Sequence, residues 1–139
     1  MVAYSFQRQF APPIRTGRKS HTIRAPRKRH ARPGEQLQLY TGMRTKQCQL
    51  IGRATCESVK PIRLTFARKP IKDMVDIEGE RPICLSGLDE FAYSDGFDNW
   101  AALRSFWLRT HGAVHKFDGV IIRWKDFTPN DVTTKESVT

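Results

Sequence analysis

The sequence has no long apolar run, and this absence argues against a membrane-spanning helix. No stretch of the 139 residues approaches the ~18 consecutive apolar side chains that such a helix needs. Residues 1–10 alternate polar and apolar side chains and lack the apolar core of a signal peptide. Low-complexity tracts are missing too, so the composition is that of a folded chain. We therefore expect a soluble, cytoplasmic protein with no membrane partner.

Cysteine is scarce, which argues against disulfide-stabilised and metal-binding classes. The three cysteines are Cys48, Cys56 and Cys84. An odd count without close pairs does not suit a disulfide framework, and no CxxC spacing supplies two metal ligands from one local element. Cys48 and Cys56 fall in predicted strands, where a free cysteine behaves as a small buried apolar residue. We expect no metal and no cofactor.

Acidic residues are nearly absent from the first half of the chain. Residues 1–70 hold 16 Lys and Arg against 2 Asp and Glu, a balance of +14. Residues 71–139 hold 8 basic and 12 acidic side chains, a balance of −4, and the whole chain carries +10. A single small domain with this asymmetry has one strongly positive face, which attracts polyphosphate at long range. RNA or a nucleoside ligand is the expected partner, and an acidic protein partner is the alternative.

The densest positive charge falls in a predicted loop between Pro26 and Pro33, where side chains are free to reach phosphates. Other basic residues lie before and after this loop. Together the candidate nucleic-acid-binding residues are Arg18, Arg24, Arg27, Lys28, Arg29, Arg32 and Arg44. Contacts of this kind give affinity for the backbone without reading the base sequence.

The length fits one domain with one core, and the first two thirds of it are predicted to be strands. The segment from Lys19 to Arg24 looks extended, and Pro12–Pro13 with Gly17 mark a short helical turn before it. Apolar residues then alternate with polar ones around Leu37–Leu39, over residues 46–57 and over Ile62–Phe66, the period of a half-buried strand. A hairpin around Glu78–Gly79 is predicted to join Val75–Ile77 to Ile83–Leu85.

The last third is predicted to hold two helices and a closing strand. Ser86 suits the N-cap of a helix that ends near Gly96, and Asp98 suits the N-cap of a second one. Residues 128–139 show no apolar pattern and are expected to form a flexible polar tail after a domain of residues 1–127. The fold class is α+β, a curved and mostly antiparallel sheet with short helices packed against it. The residues predicted to be largely buried are Trp100, Leu103, Trp107, Ile122 and Trp124.

One segment carries a resemblance to a known family. Residues 17–24, GRKSHTIR, resemble the GxKxxTIR signature that opens ASCH domains, which belong to the PUA-like superfamily. Further features follow in the family's order: Pro33-Gly34-Glu35 before a strand, an acid before Gly96-Phe97, and a final strand beginning at Phe117. The resemblance extends to about Phe127. It implies a small PUA-like curved sheet or barrel whose open groove binds RNA or a modified nucleobase.

The resemblance also implies an enzymatic alternative. Some ASCH proteins are small amidohydrolases that remove the acetyl group from N4-acetylcytidine. Their site residues fall here on Lys19 as base, Thr22 as nucleophile and Asp95 as proton donor. The enzymes carry Glu where this chain has Asp95, so the acid is one methylene shorter.

Elementary chemistry is compatible with these three roles. A threonine hydroxyl needs a base, and a lysine serves as one only if its pKa falls, which Arg18 and Arg24 favour by like-charge repulsion. Asp95 near a helix C-terminus faces the negative end of the helix dipole, which favours its protonated form. On a regular strand, however, positions 19 and 22 point to opposite faces, so convergence requires a bend between them.

The histidines allow a further alternative, a ribonuclease. His21, His30, His111 and His115 are the four histidines, and only His111 and His115 lie close enough in sequence to suggest a pair. Two histidines beside a helix-ending glycine, Gly112, are typical of surface positions. The sequence thus favours RNA or nucleobase binding, with deacetylation, ribonuclease activity and protein interaction as alternatives, and it leaves the oligomeric state open.

Overall fold

The fold is seen in a computed structural model, which describes residues 1–112 and 115–130. Seven strands are present: β1 Val2–Phe6, β2 His21–Arg24, β3 Gln36–Thr41, β4 Gln49–Thr65, β5 Met74–Ile77, β6 Ile83–Cys84 and β7 Lys116–Pro129. Three short helices accompany them: α1 Ala11–Thr16, α2 Gly87–Ser94 and α3 Trp100–His111. Single 3₁₀ turns cover Arg8–Phe10 and Pro70–Lys72. The predicted α+β class is confirmed.

The strands form one mixed sheet around the long strand β4. On one edge β4 pairs antiparallel with β3 and β5, and on the other with β7, which in turn pairs with β2. The predicted hairpin is confirmed, because β5 and β6 pair antiparallel around Gly79. β1 pairs parallel with β3, and the other five pairings among the described strands are antiparallel, so the sheet is mostly antiparallel as predicted. The strand ladder of the described residues does not close into a barrel.

β4 joins two segments that the sequence pattern separates. Its register with β7 shifts between Arg53 and Thr55 and again between Cys56 and Ser58. Such bulges bend a strand and increase its twist, so they curve the sheet, and they also interrupt the period of two in the sequence. Cys56 lies between these bulges and is buried as predicted. The prediction for Cys48 is wrong, because this residue precedes β4 and is exposed.

The helices cover one face of the sheet with aromatic residues. All five residues predicted to be buried are buried, which confirms the assignment of the core. The ring of Trp100 stacks on Phe66 at the end of β4, with centroids 5.9 Å apart. The predicted N-cap at Asp98 is wrong by one residue, because Asn99 is the N-cap and its side chain accepts a hydrogen bond from the Ala102 amide. Ser86 occupies the predicted N-cap of α2, but its side chain makes no capping bond.

A buried carboxylate fixes α3 against the sheet. Asp73 is fully buried, and its Oδ2 accepts hydrogen bonds from Trp100 Nε1 at 2.8 Å and from Arg104 Nη1 at 2.6 Å. Its Oδ1 accepts from the Ala67 amide at 2.7 Å, just after β4. Since a buried charge is tolerated only when it is paired and hydrogen-bonded, these contacts hold α3 in one position. That position matters because α3 contributes a wall of the cavity described below.

The closing strand runs past the predicted domain end. β7 continues to Pro129, and Thr128 and Pro129 pair with Arg53 and Gly52 of β4. Most of the expected tail, residues 131–139, lies outside the described residues. No helix in the described part of the chain is long and apolar enough to cross a membrane.

Candidate functional site

The sheet and α3 enclose a cavity of about 260 Å³. Its polar lining includes the three residues that the resemblance singles out together with Arg24. Its aromatic lining comes from β1, the turn before α1, the turn after α2, α3 and β7. These aromatic residues are Phe6, Phe10, Phe97, Phe106, Trp107 and Phe117. The structure thus brings Lys19, Thr22 and Asp95 to one cavity.

The bend between positions 19 and 22 arises at the start of β2. Helix α1 ends at Gly17, whose φ of 85° is a left-handed conformation that favours glycine. The Lys19 amide then donates to the Pro13 carbonyl at 2.9 Å, which holds Lys19 against α1. β2 begins only at His21, so the predicted extended segment starts two residues too early. Because Lys19 is not part of the strand, strand alternation does not force it away from Thr22.

Asp95 reaches the cavity because the chain turns sharply after α2. Asp95 is the C-cap of this helix, and Gly96 follows with φ of 99°. A Cβ atom at Gly96 would lie 2.9 Å from Phe10 Cδ1, so only glycine allows this close approach without a shift of the ring. The turn therefore sets both the aromatic wall and the carboxylate beside it.

Lys19 and Asp95 form a buried ion pair. Lys19 Nζ donates to Asp95 Oδ1 at 2.6 Å and to the Asp95 carbonyl at 2.8 Å. Each residue is only 4% exposed. The ammonium group also lies 5.1 Å from the centroid of the Phe10 ring, within cation–π range. The pair is buried and faces the cavity on one side.

The electrostatics of this pair correct one prediction. Burial disfavours the Asp95 carboxylate, but the charge of Lys19 and the nearby His21 ring outweigh it, so the pKa of Asp95 lies below its ordinary value. The predicted protonated form of Asp95 is therefore wrong for the free protein, because the ion pair dominates the helix dipole. Burial lowers the pKa of Lys19, with Arg24 and Arg18 as smaller contributions. The direction predicted for Lys19 is confirmed, although its main cause is desolvation.

Arg24 belongs to the cavity wall and not to the exposed loop. Its Nε donates to Thr22 Oγ1 at 2.9 Å, and its Nη2 donates to the Ser5 carbonyl at 2.7 Å. The guanidinium carbon lies 4.9 Å from the centroid of the Phe6 ring. Desolvation lowers the pKa of Arg24 to about 10, so the group stays charged at neutral pH. A fixed cation thus holds the Thr22 hydroxyl in place.

The other predicted basic residues divide into side chains that make a contact with a named partner and side chains that form no ion pair. Arg18 lies over the ring of Tyr93, 4.2 Å from its centroid, and Arg29 pairs with Glu35 at 2.7 Å. Arg27 lies over the ring of Tyr4 at 4.8 Å. Lys28, Arg32 and Arg44 are exposed, and their side chains form no ion pair within residues 1–112 and 115–130.

The basic loop is anchored beside the cavity. His30 Nε2 lies 2.9 Å from the Ala25 carbonyl, and Ala25 lines the cavity. His30 Nδ1 lies 3.0 Å from Tyr4 Oη, so Nε2 donates to the carbonyl while Nδ1 accepts from the tyrosine. Tyr4 Oη also accepts from the Ala31 amide. The loop therefore leaves the cavity rim along a fixed path and presents Arg27, Lys28 and their neighbours next to it.

Two histidines contact the site in ways that sequence spacing did not indicate. His111 stacks on Trp107 with centroids 4.3 Å apart and lines the cavity. His21 is buried, stacks on Phe91, and brings Nε2 to 3.0 Å from Asp95 Oδ1. The distance suits a hydrogen bond, but the ring nitrogen lacks hydrogen-bond alignment and has no other partner in the described part of the chain. The position of His21 between Lys19 and Thr22 is the sequence feature that could have indicated its place beside the site.

The described residues hold no cluster of three His, Cys, Asp or Glu that could bind a metal ion. The side chains already named give the cavity its chemical character. They comprise an ammonium–carboxylate pair, a hydroxyl group, a guanidinium and a set of aromatic rings. The rings offer stacking faces, and the polar groups offer both donors and an acceptor.

Comparison with solved structures shows the same fold in an ASCH protein of Zymomonas mobilis. The crystal structure of that protein superposes with a TM-score of 0.51 at 16% sequence identity, covering 91% of this chain and 68% of that chain. A crystal structure of a mutant of the same protein gives a TM-score of 0.50 at 15% identity, with the same coverage. No family model and no curated protein matches the chain. The protein thus has an ASCH-like fold, as the GRKSHTIR segment predicts.

Proposed function

We propose, from this ASCH-like fold and the cavity within it, that the protein binds the base of a nucleoside or of an RNA nucleotide. The observation that carries the proposal is the combination of six aromatic side chains with a buried Lys19–Asp95 pair in one cavity. At about 260 Å³ the cavity is no larger than the smallest pockets usual for small ligands, ~300 Å³. This size suits one base.

The aromatic lining favours a flat ring over a flexible ligand. Phe10, Phe97 and Phe106 pack against one another with centroids 5.3–5.7 Å apart. Trp107 and Phe117 continue this surface, with centroids 4.5 Å apart. Stacking of a base on such a side chain is worth about 1–3 kcal/mol. A sugar or an aliphatic acid gains much less from the same wall.

The polar groups favour a pyrimidine edge that carries both an amine and a carbonyl. Lys19 and Arg24 are donors only, and they suit the O2 or N3 acceptors of cytosine or an acyl oxygen. Asp95 is the acceptor of the set and suits an exocyclic N–H such as N4 of cytosine. Cytosine and its N4-substituted forms match this pattern of donors and acceptor, whereas uracil offers no exocyclic amine.

The basic loop favours RNA over a free nucleoside as the physiological ligand. Arg27, Lys28 and Arg32 are exposed beside the cavity rim, at the end of the segment that Arg24 and Ala25 connect to the cavity. Phosphates of nucleotides next to a bound base would meet these cations. A free nucleoside carries no phosphate and would leave them unused.

The test is a titration of the protein with nucleosides, monitored by tryptophan fluorescence, since Trp107 lines the cavity. We expect quenching by cytidine and N4-acetylcytidine, and none by ribose 5-phosphate. Phe106→Ala should weaken nucleoside binding about tenfold, the value of one stacking contact. Leu108→Ala, two residues further along α3 and outside the cavity lining, is the matched control. Failure of every nucleoside to quench, or equal losses in the two variants, contradicts the proposal.

A second candidate, deacetylation of N4-acetylcytidine, is supported by a specific observation. Lys19, Thr22 and Asp95 line the same cavity, and burial lowers the pKa of Lys19 toward the neutral form that a base needs. Arg24 donates to Thr22 Oγ1 and so leaves the hydroxyl proton free to be removed. The donor that holds Thr22 would also stabilise the negative charge that develops on Oγ1 during attack.

The steps balance without any further reactant than water. Thr22 Oγ1 bonds to the acetyl carbon as its proton passes to Lys19 Nζ. The C–N4 bond then breaks and N4 takes up a proton. Cytidine leaves, and the acetyl group stays on Thr22 as an ester. Water hydrolyses this ester to acetate and restores the hydroxyl. Lys19 returns its proton in the course of these steps, either directly or through Asp95 at 2.6 Å.

A further inference from the structure

His21 is a buried titratable group whose side chain does not line the cavity. It lies between Lys19 and Thr22 in sequence, is 7% exposed and stacks on Phe91 of α2. Its Nε2 lies 3.0 Å from Asp95 Oδ1 and has no hydrogen-bond partner within the described residues. A buried polar atom without a partner is costly, so its retention beside a carboxylate requires an explanation.

One carboxylate oxygen lies beside two basic side chains. Asp95 Oδ1 accepts a hydrogen bond from Lys19 Nζ at 2.6 Å, whereas His21 Nε2 lies 3.0 Å away without hydrogen-bond alignment. With Lys19 charged, the pair is neutral, and a second buried cation at His21 would be unfavourable. Arg123 on β7, which is paired opposite His21, adds to this repulsion, although it is itself bound to Glu80.

This balance of charge around Asp95 changes if the Lys19 ammonium group leaves Asp95 Oδ1. A ligand carbonyl in the cavity would compete for the ammonium group of Lys19, and an uncompensated Asp95 carboxylate would remain buried. We propose that His21 is a positioning residue for Asp95. The imidazolium of His21 takes over the contact with Asp95 Oδ1 when Lys19 turns to a bound ligand. The inference rests on the proposed function, because the ligand is what draws Lys19 away.

The exchange has a defined proton balance and a defined sign. One proton passes from a buffer acid to His21, forming one N–H bond, and the hydrogen bond to Oδ1 replaces that of Lys19. Proton uptake on binding means that ligand affinity rises as pH falls. In the ligand-free protein, burial lowers the pKa of His21 below its ordinary value, so the imidazole is able to take up this proton on binding.

The first arm of the test needs no ligand. Proton NMR of the imidazole Cε1–H signals across pH follows the four histidines, and His21→Phe assigns the signal of His21. In Lys19→Met the pKa of His21 should rise, because Asp95 has lost its cation, while the signal of exposed His115 should not move. Lys19→Gln serves the same purpose if Lys19→Met fails to fold. An unchanged His21 titration in a folded Lys19 variant overturns the proposal.

The second arm measures protons taken up on binding. Calorimetry with cytidine, which carries a carbonyl but no acetyl group to hydrolyse, in two buffers of different ionisation enthalpy should show uptake of up to one proton per wild-type protein. His21→Phe should abolish the uptake, and His115→Gln should retain it. Binding without proton uptake overturns the His21 exchange and leaves the proposed function standing. Absence of any binding heat overturns the proposed function instead, and the first arm then still decides whether Asp95 can switch partners.

Discussion

Lys19 Nζ donates to Asp95 Oδ1 at 2.6 Å, joining residues that are 76 positions apart in the chain. The contact links the turn before β2 to the end of α2, two segments that have no strand pairing with each other. It is also the polar centre of the cavity, since both residues line it. The same interaction is therefore expected to serve both the stability of the fold and the function of the site.

The first prediction concerns the stability of this pair. At high pH, where His21 carries no proton, Lys19→Met should lower the free energy of unfolding by about 3–5 kcal/mol, because it leaves a buried carboxylate without a cation. The loss should become smaller at lower pH, where the His21 imidazolium forms beside Asp95. The double variant Lys19→Met/Asp95→Asn should lose less than the sum of the two single losses, since it removes both charges. Urea denaturation followed by circular dichroism gives these values.

The surface pair Arg63–Asp118 is the matched control. Its side chains are 49% and 57% exposed, and its Nε–Oδ1 distance, 2.6 Å, equals that of the buried Lys19–Asp95 pair. Arg63→Met should therefore cost far less stability than Lys19→Met, because solvent screens the interaction. Equal losses from the buried and exposed pairs would show that burial does not determine the strength of the Lys19–Asp95 contact.

The second prediction concerns the dependence of stability on pH. The pKa values of His21 and Asp95 lie below their unfolded values of 6.5 and 3.8. For each group the unfolded chain binds more protons, so the stability is fully present above the unfolded pKa and is lost as pH falls. Unfolding free energy should begin to fall below pH 6.5, by up to ~1.4 kcal/mol per pH unit for one proton.

The variant His21→Phe isolates the upper part of this curve. Its unfolding free energy should fall less steeply than that of the wild type below pH 6.5, because the buried imidazole is gone and only His30, whose pKa burial also lowers, still titrates there. His115→Gln, at an exposed position, should follow the wild-type curve. Urea midpoints from pH 8 to pH 4 provide the measurement. A wild-type curve that is already flat from pH 6.5 to pH 5 would contradict the prediction.

Much of the fold could be predicted because its signals are local. Trp100, Leu103 and Trp107, all predicted to be buried, form the buried face of α3, and Ile122 and Trp124 on β7 are buried as predicted. The N-cap was misplaced because Asp98 and Asn99 are both good capping residues, and only the backbone decides between them. The parallel pairing of β1 with β3 brings together segments some 35 residues apart, and no local pattern encodes it.

The site could be predicted only in part, for a similar reason. Lys19, Thr22 and Asp95 were found through a resemblance, whereas their convergence depends on Gly17 and Gly96. The aromatic wall was missed because an aromatic residue such as Trp107 is both core and cavity lining, and composition does not separate these roles. His21 was missed as a neighbour of Asp95 because a buried contact between distant segments leaves no periodic signal.

The third prediction concerns RNA binding. If about five phosphates are neutralised, the affinity for single-stranded RNA should fall with log salt at a slope of roughly −3 to −4. Replacing Arg27, Lys28 and Arg32 with Ala should make this slope less steep by about 2, because three phosphate contacts are lost. The loss should be similar for all RNA sequences, since phosphate contacts do not read bases. Fluorescence anisotropy at several salt concentrations measures the slopes.

A second triple variant controls for the loss of net charge. Arg68, Lys69 and Lys72 are also exposed and basic, but they lie in the connection between β4 and β5 and do not line the cavity. Replacing them with Ala removes the same charge and should leave the slope nearly unchanged. Equal effects of the two triple variants would mean that net charge, and not the loop beside the cavity, governs binding. Binding that is absent at low salt would remove the RNA proposal.

The fourth prediction concerns deacetylation. Purified protein should release cytidine from N4-acetylcytidine, measured by chromatography of the reaction mixture. Lys19→Ala should abolish release because it removes the base, and Thr22→Val because it removes the nucleophile while keeping the shape of the side chain. Thr65→Val, a threonine on β4 outside the cavity lining, should retain wild-type release and serves as the matched control.

The variant Asp95→Glu tests how the acid works. In the resembling amidohydrolases this position is Glu, so the longer side chain should preserve or raise the rate of release, provided that Lys19 remains its partner. The alternative outcome is equally informative. Asp95 is held at 2.6 Å from Lys19 beside a turn that leaves no room at Gly96, so an added methylene has to be accommodated in the cavity. A fall in release with unchanged nucleoside affinity would show that the short acid is fitted to this site. No release by the wild-type protein, with intact nucleoside binding, would assign the Lys19–Asp95 pair to recognition alone.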